Sequence, residues 1–114
     1  TMQYVKPDVS TVVLGEASAA AAVVVLAGTK GKRYALPHSR MMLHQPYGGA
    51  EGQAADVEIQ THEITRHRRL LEELIARHTG QPLEKVSEDT DRDFILSAKG
   101  AVEYGVVDEV ITSR

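Results

Sequence analysis

The sequence contains no cysteine, and this absence removes several kinds of chemistry at once. Disulfide bonds, thiolate metal sites and cysteine nucleophiles are all excluded, because each of them needs a thiol. A chain without cysteine also suits a reducing compartment, and we expect a cytoplasmic protein.

Long hydrophobic runs and an excess of positive charge are missing as well. The longest apolar run, over 17–28, is too short to cross a lipid bilayer. The formal net charge of −3 gives no general attraction to nucleic acid or to an anionic membrane. We therefore expect neither of these as a partner.

The length and composition are those of one ordinary globular domain. The chain has 114 residues, of which 42% are hydrophobic and 25% are charged. A chain of this length buries a modest core and leaves no room for a second domain. We therefore treat 1–114 as a single domain.

The pattern of apolar residues predicts strands alternating with helices. Gly and Pro residues separate these segments, Ser97 is a candidate N-cap, and Gly105 is a candidate helix end. We predict strands over 11–14, 33–36, 41–44, 94–96 and 106–111, and helices over 17–27, 54–78, 83–88 and 98–104. This order indicates an α/β domain with a mixed sheet and flanking helices.

Two motifs suggest metal binding, but neither has the required spacing. In HEITRH, His62 and His67 are five residues apart, so on a helix their side chains point about 140° apart. In DTDRD, the calcium-loop pattern would need a glycine where Phe94 stands and a glutamate where Gly100 stands. GTKGKR likewise lacks the spacing of a Walker loop. We predict no metal site.

Three separate segments remain as candidates for catalysis. The stretch GEASAAAAV has Ser18 near a glycine, at a predicted strand-to-helix junction where hydrolases often carry a nucleophile. His44 ends a predicted strand, and Asp93 closes the acidic DTDRD segment. Taken alone, His44 is more typical of a structural residue than of a catalytic one, and Asp93 even more so.

Read together, these segments resemble the ClpP family, the proteolytic subunits of ATP-dependent Clp proteases. The resemblance covers nearly the whole chain, in the stretches MQYVKPDVSTVVLGEAS, AGTKGKRYALPHSRMMLHQPYGG, EGQAADVEIQTHEI, HTGQPLEKVSEDTDRDFILSA and AVEYGVVDEV. It implies a mixed α/β fold related to crotonases, with a protruding strand–helix handle. A crotonase-like acyl-CoA enzyme fits less well, because that family does not use the HQP and DTDRD motifs.

The resemblance also implies an assembly and a reaction. Members form a tetradecamer of two stacked heptameric rings, homomeric or mixed, around a chamber that cleaves unfolded polypeptides. An AAA+ Clp unfoldase delivers those polypeptides and consumes the ATP. No metal or organic cofactor is implied for the peptidase subunit.

By the same resemblance, the chemistry is that of a Ser-His-Asp triad. His44 becomes the general base and Asp93 the group that orients it. The nucleophile position is residue 19, which lies 25 residues before His44, and the backbone N–H of Ala20 becomes an oxyanion donor. We expect the Cβ of Ala19 to face His44, and the Asp93 carboxylate to lie near the other ring nitrogen.

Position 19 is an alanine, so the expected triad lacks its hydroxyl. Ser18 is one residue away, and that step turns a side chain by about 100° at a helix start, out of reach of His44. Two explanations stay open. Either an alanine has replaced the serine of a motif GEASS, or the chain is a natural non-catalytic subunit of a mixed ring.

Two further expectations follow from the resemblance. The chain lacks the N-terminal portion that holds the family's axial loops and glycine-rich oxyanion segment, so activity of this piece alone is doubtful. The handle over 53–64 is expected to be buried by another chain. Gln53 within it and Arg92 are the predicted oligomer contacts.

Overall fold

The computed structural model describes residues 1–44 and 54–113, which form six strands and four helices. The strands are β1 (Thr11–Val13), β2 (Glu16–Ser18), β3 (Arg33–Ala35), β4 (Arg40–Leu43), β5 (Phe94–Ser97) and β6 (Glu109–Val110). The helices are α1 (Ala20–Leu26), α2 (Ala54–Thr79), α3 (Leu83–Asp89) and α4 (Ala98–Tyr104).

The strands divide between two three-stranded sheets. One sheet has the order β1-β3-β6 and is parallel throughout. The other has the order β2-β4-β5, with β2 parallel to β4 and β4 antiparallel to β5. The predicted mixed α/β class is therefore confirmed.

The core lies where α1, α4 and the two sheets meet. Its largest fully buried apolar side chains come from α1, β4, α3 and the chain after α4, and they are Leu26, Met41, Leu43, Val86, Val106 and Val107. Ala22 is also fully buried, and its small side chain lets α1 approach the sheets closely.

Two element predictions were wrong. The helix predicted over 17–27 begins only at Ala20, because Glu16–Ser18 instead pairs with β4 as a strand. The strand predicted over 106–111 is limited to Glu109–Val110. Val106 and Val107 are buried in the core beside the end of α4, so burial rather than sheet pairing explains their apolar side chains.

The limits of α4 agree with the sequence prediction. The Ser97 hydroxyl accepts a hydrogen bond from the Gly100 N–H at 3.0 Å, which satisfies one of the free donors at the helix start. Gly105 ends the helix with φ of 100°. A Cβ there would lie 2.2 Å from the Thr79 carbonyl oxygen, so no side chain fits.

A buried ion pair, which we call the Arg33–Asp108 junction, connects the ends of several elements. Arg33 is 2% exposed and binds both carboxylate oxygens of Asp108, with Nη2–Oδ1 at 2.8 Å and Nε–Oδ2 at 2.9 Å. Its Nη1 also donates to the carbonyl oxygens of Leu26 and His78. The junction therefore fixes the C-terminal ends of α1 and α2 against β3.

Helix α2 is long, and only its second half packs on the rest of the chain. Ile75, in the second half, is buried, whereas Ile59, in the first half, is 67% exposed. The strand part of the predicted handle, with Gln53, lies outside the described residues. The part from Ala54 to Ile64 is helical.

Candidate active site

The turn between β2 and α1 has an unusual backbone conformation. Ala19 has φ of 54° and ψ of −119°, and among the described residues it alone combines a side chain with positive φ. This conformation strains an L-residue, because the Cβ crowds the neighbouring carbonyl. Such strain persists only where surrounding structure imposes it, and it clusters at functional sites.

Hydrogen bonding from both sides holds this turn in place. The Ala19 N–H donates to the Met42 carbonyl oxygen at 3.0 Å and thereby extends the β2–β4 ladder past its last strand residue. The Ala19 carbonyl then accepts from the Val23 N–H at 3.2 Å and so begins α1. The chain therefore changes from strand to helix at this single residue.

Ala19 and His44 lie on the wall of one apolar cavity of about 450 Å³. The other walls come from α1, β4 and α2, through Ala20, Val23, Val24, Leu43, Leu71 and Ile75. We call this space the apolar cleft. Leu71 and Ile75 are four residues apart on α2 and so share one face of that helix. The sequence gives no signal that Val23 and Val24 line a site.

The β4–β5 pairing brings the His44 and Asp93 segments together. Leu43 lies opposite Phe94 in this antiparallel ladder. Extending the register by one residue on each strand sets His44 across from Asp93, although 49 residues of chain separate them. The Asp93 side chain is exposed, and His44 is partly buried.

Ser18 takes part in a different set of contacts. Its hydroxyl donates to Glu16 Oε1 at 3.1 Å, and the Arg40 guanidinium donates to the same oxygen at 2.9 Å. These two hydrogen bonds, that of Arg40 first, lower the pKa of the Glu16 carboxyl. Ser18 does not line the apolar cleft.

Ala20 occupies the first helical position of α1. The first N–H groups of any helix have no acceptor within that helix, so they can donate to an oxygen that lies beyond the helix start. Ala20 also lines the apolar cleft, beside Ala19. The arrangement can therefore present a backbone donor next to position 19.

The other site predictions concern surface residues. Arg92 is exposed. His62 and His67 each approach a glutamate one turn earlier, Glu58 at 3.9 Å and Glu63 at 3.3 Å. Within residues 1–44 and 54–113, no group of three or more potential metal ligands comes together.

The same described residues contain no helix long and apolar enough to cross a membrane.

A strained turn from strand to helix, in an α/β fold and beside a histidine that follows a strand, is typical of serine hydrolases. The comparison with known families is more specific. A family model described as Clp protease matches residues 1–114, the full length of the sequence. The chain belongs to the Clp protease family, which is a family of peptidases.

Proposed function

We propose that this chain is a Clp-type serine endopeptidase subunit in which residue 19 is the nucleophile position, and that alanine there makes it inactive. The single observation that supports this best is the strained backbone of Ala19 on the wall of the apolar cleft. An alanine gains nothing from positive φ, whereas a nucleophile needs a sharp turn that exposes its side chain.

The proposed mechanism assigns a role to each remaining residue. In the serine-bearing form, His44 takes the serine proton as the hydroxyl oxygen attacks the peptide carbonyl, and later gives it to the leaving amine. Asp93 holds the imidazole in its orientation and stabilises the imidazolium. The Ala20 N–H donates to the oxyanion of the tetrahedral intermediate. Water then hydrolyses the acyl-enzyme by the same steps.

The lining of the cleft suggests what kind of substrate binds. Among the described residues that line the cleft, His44 supplies the one ionisable group, and the other side chains are aliphatic. Such a site favours an apolar side chain next to the scissile bond. An apolar side chain becomes accessible in this way when a protein is unfolded, which agrees with unfolded polypeptides as substrates.

The proposal includes a ring assembly and an unfoldase partner. Its support is the family, together with the exposed first half of α2. Ile59, at 67% exposed, is a large apolar side chain in that half which a second chain would bury. We propose that the handle over 53–64, including Gln53, and the exposed Arg92 contact other subunits of two stacked heptameric rings.

A second candidate is a natural non-catalytic subunit that builds the ring beside active partners. The observation that favours it is the alanine itself, since position 19 carries no hydroxyl. Both candidates share the fold and the assembly. They differ in whether the rest of the site is ready for catalysis.

One substitution separates these two candidates. Ala19→Ser in the full-length, assembled subunit should give hydrolysis of a short fluorogenic peptide without any unfoldase. Persistent inactivity of that variant in an intact tetradecamer would favour the non-catalytic subunit.

Ser18 supplies the matched control. Ser18→Ala in the Ala19→Ser background should change turnover little, because the Ser18 hydroxyl binds Glu16 rather than lining the cleft. A fluorophosphonate probe should label only the new serine. Labelling of Ser18 instead would refute the assignment of residue 19.

A further inference from the structure

A second cavity, of about 320 Å³, lies away from the apolar cleft and shares none of its lining residues. Its walls come from three separate parts of the chain, namely residues 2–8, the connection from α1 to β3, and the end of α2. Each part contributes one exposed cation, and these are Lys6, Lys30 and Arg77. We call this space the basic cavity.

Among the described residues, no carboxylate forms an ion pair with Lys6, Lys30 or Arg77, so nothing in that part of the chain neutralises the charges of these three side chains. Of the residues that line the cavity, Asp8 alone is acidic, and its carboxylate already binds Lys32 at 2.7 Å. The cavity therefore has a formal charge of about +3 on a chain whose net charge is −3.

Arg33 also lines the cavity but adds little to its excess of positive charge. Both of its charged hydrogen-bonding edges are occupied, by the Asp108 carboxylate and by the carbonyl oxygens of Leu26 and His78. Its role there is to fix the wall, since it holds the end of α2 against the end of α1. The wall that carries Arg77 is therefore rigid.

His78 also lines the cavity, close enough to two of its cations to respond to their charges. Burial lowers the pKa of its imidazole, and the charges of Arg77 and Arg33 lower it further. A bound anion would offset the two arginine charges.

We propose that the basic cavity binds a phosphate group, either as the free ion or as a phosphomonoester. A phosphate dianion offers several acceptor oxygens, and Lys6, Lys30 and Arg77 line the cavity from three separate parts of the chain. The volume of the cavity exceeds what one phosphate fills, which leaves space for water or for an attached group. This site is independent of the proposed peptidase function.

The test is a titration of the full chain with inorganic phosphate at constant ionic strength, followed by calorimetry. Lys30→Gln and Arg77→Gln should each weaken binding about tenfold, as expected when a charge-assisted hydrogen bond is lost. Lys99→Gln is the matched control, because Lys99 is an exposed lysine outside the cavity and its loss changes the net charge equally. Equal weakening by all three substitutions would refute the site.

The imidazole of His78 provides a second measurement that does not depend on affinity. Phosphate should raise the pKa of His78, measured by NMR, while chloride at the same ionic strength should leave it unchanged. The same experiment with glycerol 2-phosphate distinguishes the two sources. A shift with both ligands indicates recognition of a phosphomonoester, and a shift with inorganic phosphate alone indicates a site for the free ion. No shift with either would overturn the proposal.

Discussion

Two regions of the molecule, the turn at Ala19 and the Arg33–Asp108 junction, differ in backbone strain and in how completely their polar groups are paired. At the junction every strong polar group is paired, and the backbone of Arg33 is ordinary strand. At the turn a small residue is held with φ of 54° next to a cavity. Strain is thus tolerated beside the apolar cleft, while pairing is complete where the elements join.

The difference indicates which region serves function and which serves stability. Removing one partner of this pair would leave an uncompensated charge, so such a change should reduce the stability of the fold. The turn at Ala19 reduces stability, so it needs another reason to persist. The role of position 19 in the proposed peptidase function would supply such a reason, and each half of this comparison can be tested by substitution.

The largest expected effect is on turnover. In the active Ala19→Ser background, Asp93→Asn should lower kcat by about 10⁴-fold, the cost of the same change in a chymotrypsin-type triad. The reason is that the amide no longer holds His44 in the tautomer that accepts the serine proton. Peptide hydrolysis under saturating substrate measures the effect.

Asp91→Asn is the control for that experiment, because Asp91 is an exposed aspartate two residues earlier in the same segment. It should leave kcat nearly unchanged. Comparable losses from both substitutions would assign the effect to the charge of the segment, and the orienting role of Asp93 would be wrong.

The next effect is on the free energy of unfolding. Arg33→Met should destabilise the chain by about 3–5 kcal/mol, because it leaves the Asp108 carboxylate without its partner. Lys32→Met is the matched control, since Lys32 is the neighbouring residue and its ion pair with Asp8 is exposed. That control should have a small effect. Urea denaturation measures both, and similar values would refute the structural role of the junction.

The third effect is the pH dependence of that junction. The Arg33 guanidinium, with backbone N–H groups of Arg33 and Gly31, lowers the pKa of Asp108 from 3.8 to about 2. Folding therefore favours the ionised carboxylate of Asp108. Its contribution to the free energy of unfolding is present above pH 3.8 and is lost as the pH falls toward 2. The fall in the pKa of Asp108 from 3.8 to about 2 corresponds to about 2.5 kcal/mol of stability at neutral pH.

A comparison with Asp108→Asn isolates this titration from those of the other carboxyls. The difference in unfolding free energy between the two proteins should be constant above about pH 5 and should shrink as the pH approaches 2. A difference that stays the same throughout this range would mean that Asp108 titrates normally in the folded chain.

Much of the fold could be predicted from the sequence, because the signals used depend on single residues or short segments. Ser97 and Gly105 delimit α4 as predicted, because capping and positive φ are properties of single residues. Strand β2 was missed, since an alanine-rich segment favours a helix and only pairing with β4 makes residues 16–18 extended. The Arg33–Asp108 pair joins residues 75 apart, and no local pattern indicates it.

The candidate site likewise has some features that the sequence predicts and others that only the structure shows. Family resemblance assigns position 19, His44 and Asp93, and those assignments remain predictions. The backbone strain at Ala19 and the contribution of Val23 and Val24 to the cleft depend on how α1 packs against β4 and α2. The spacing of residues within one motif does not indicate how distant segments pack, so these features could not be predicted from the sequence.

The smallest expected effect tests the strain itself. Ala19→Gly should stabilise the chain by about 1 kcal/mol, because glycine adopts positive φ without a Cβ clash, and this gain exceeds the added entropy of the unfolded chain. Ala21→Gly, at an exposed helical position two residues later, should destabilise it by about 1 kcal/mol. The same substitution should therefore have opposite signs at two nearby alanines in urea denaturation. If both variants were destabilised alike, Ala19 would carry no strain, and the structural case for position 19 as a functional residue would fail.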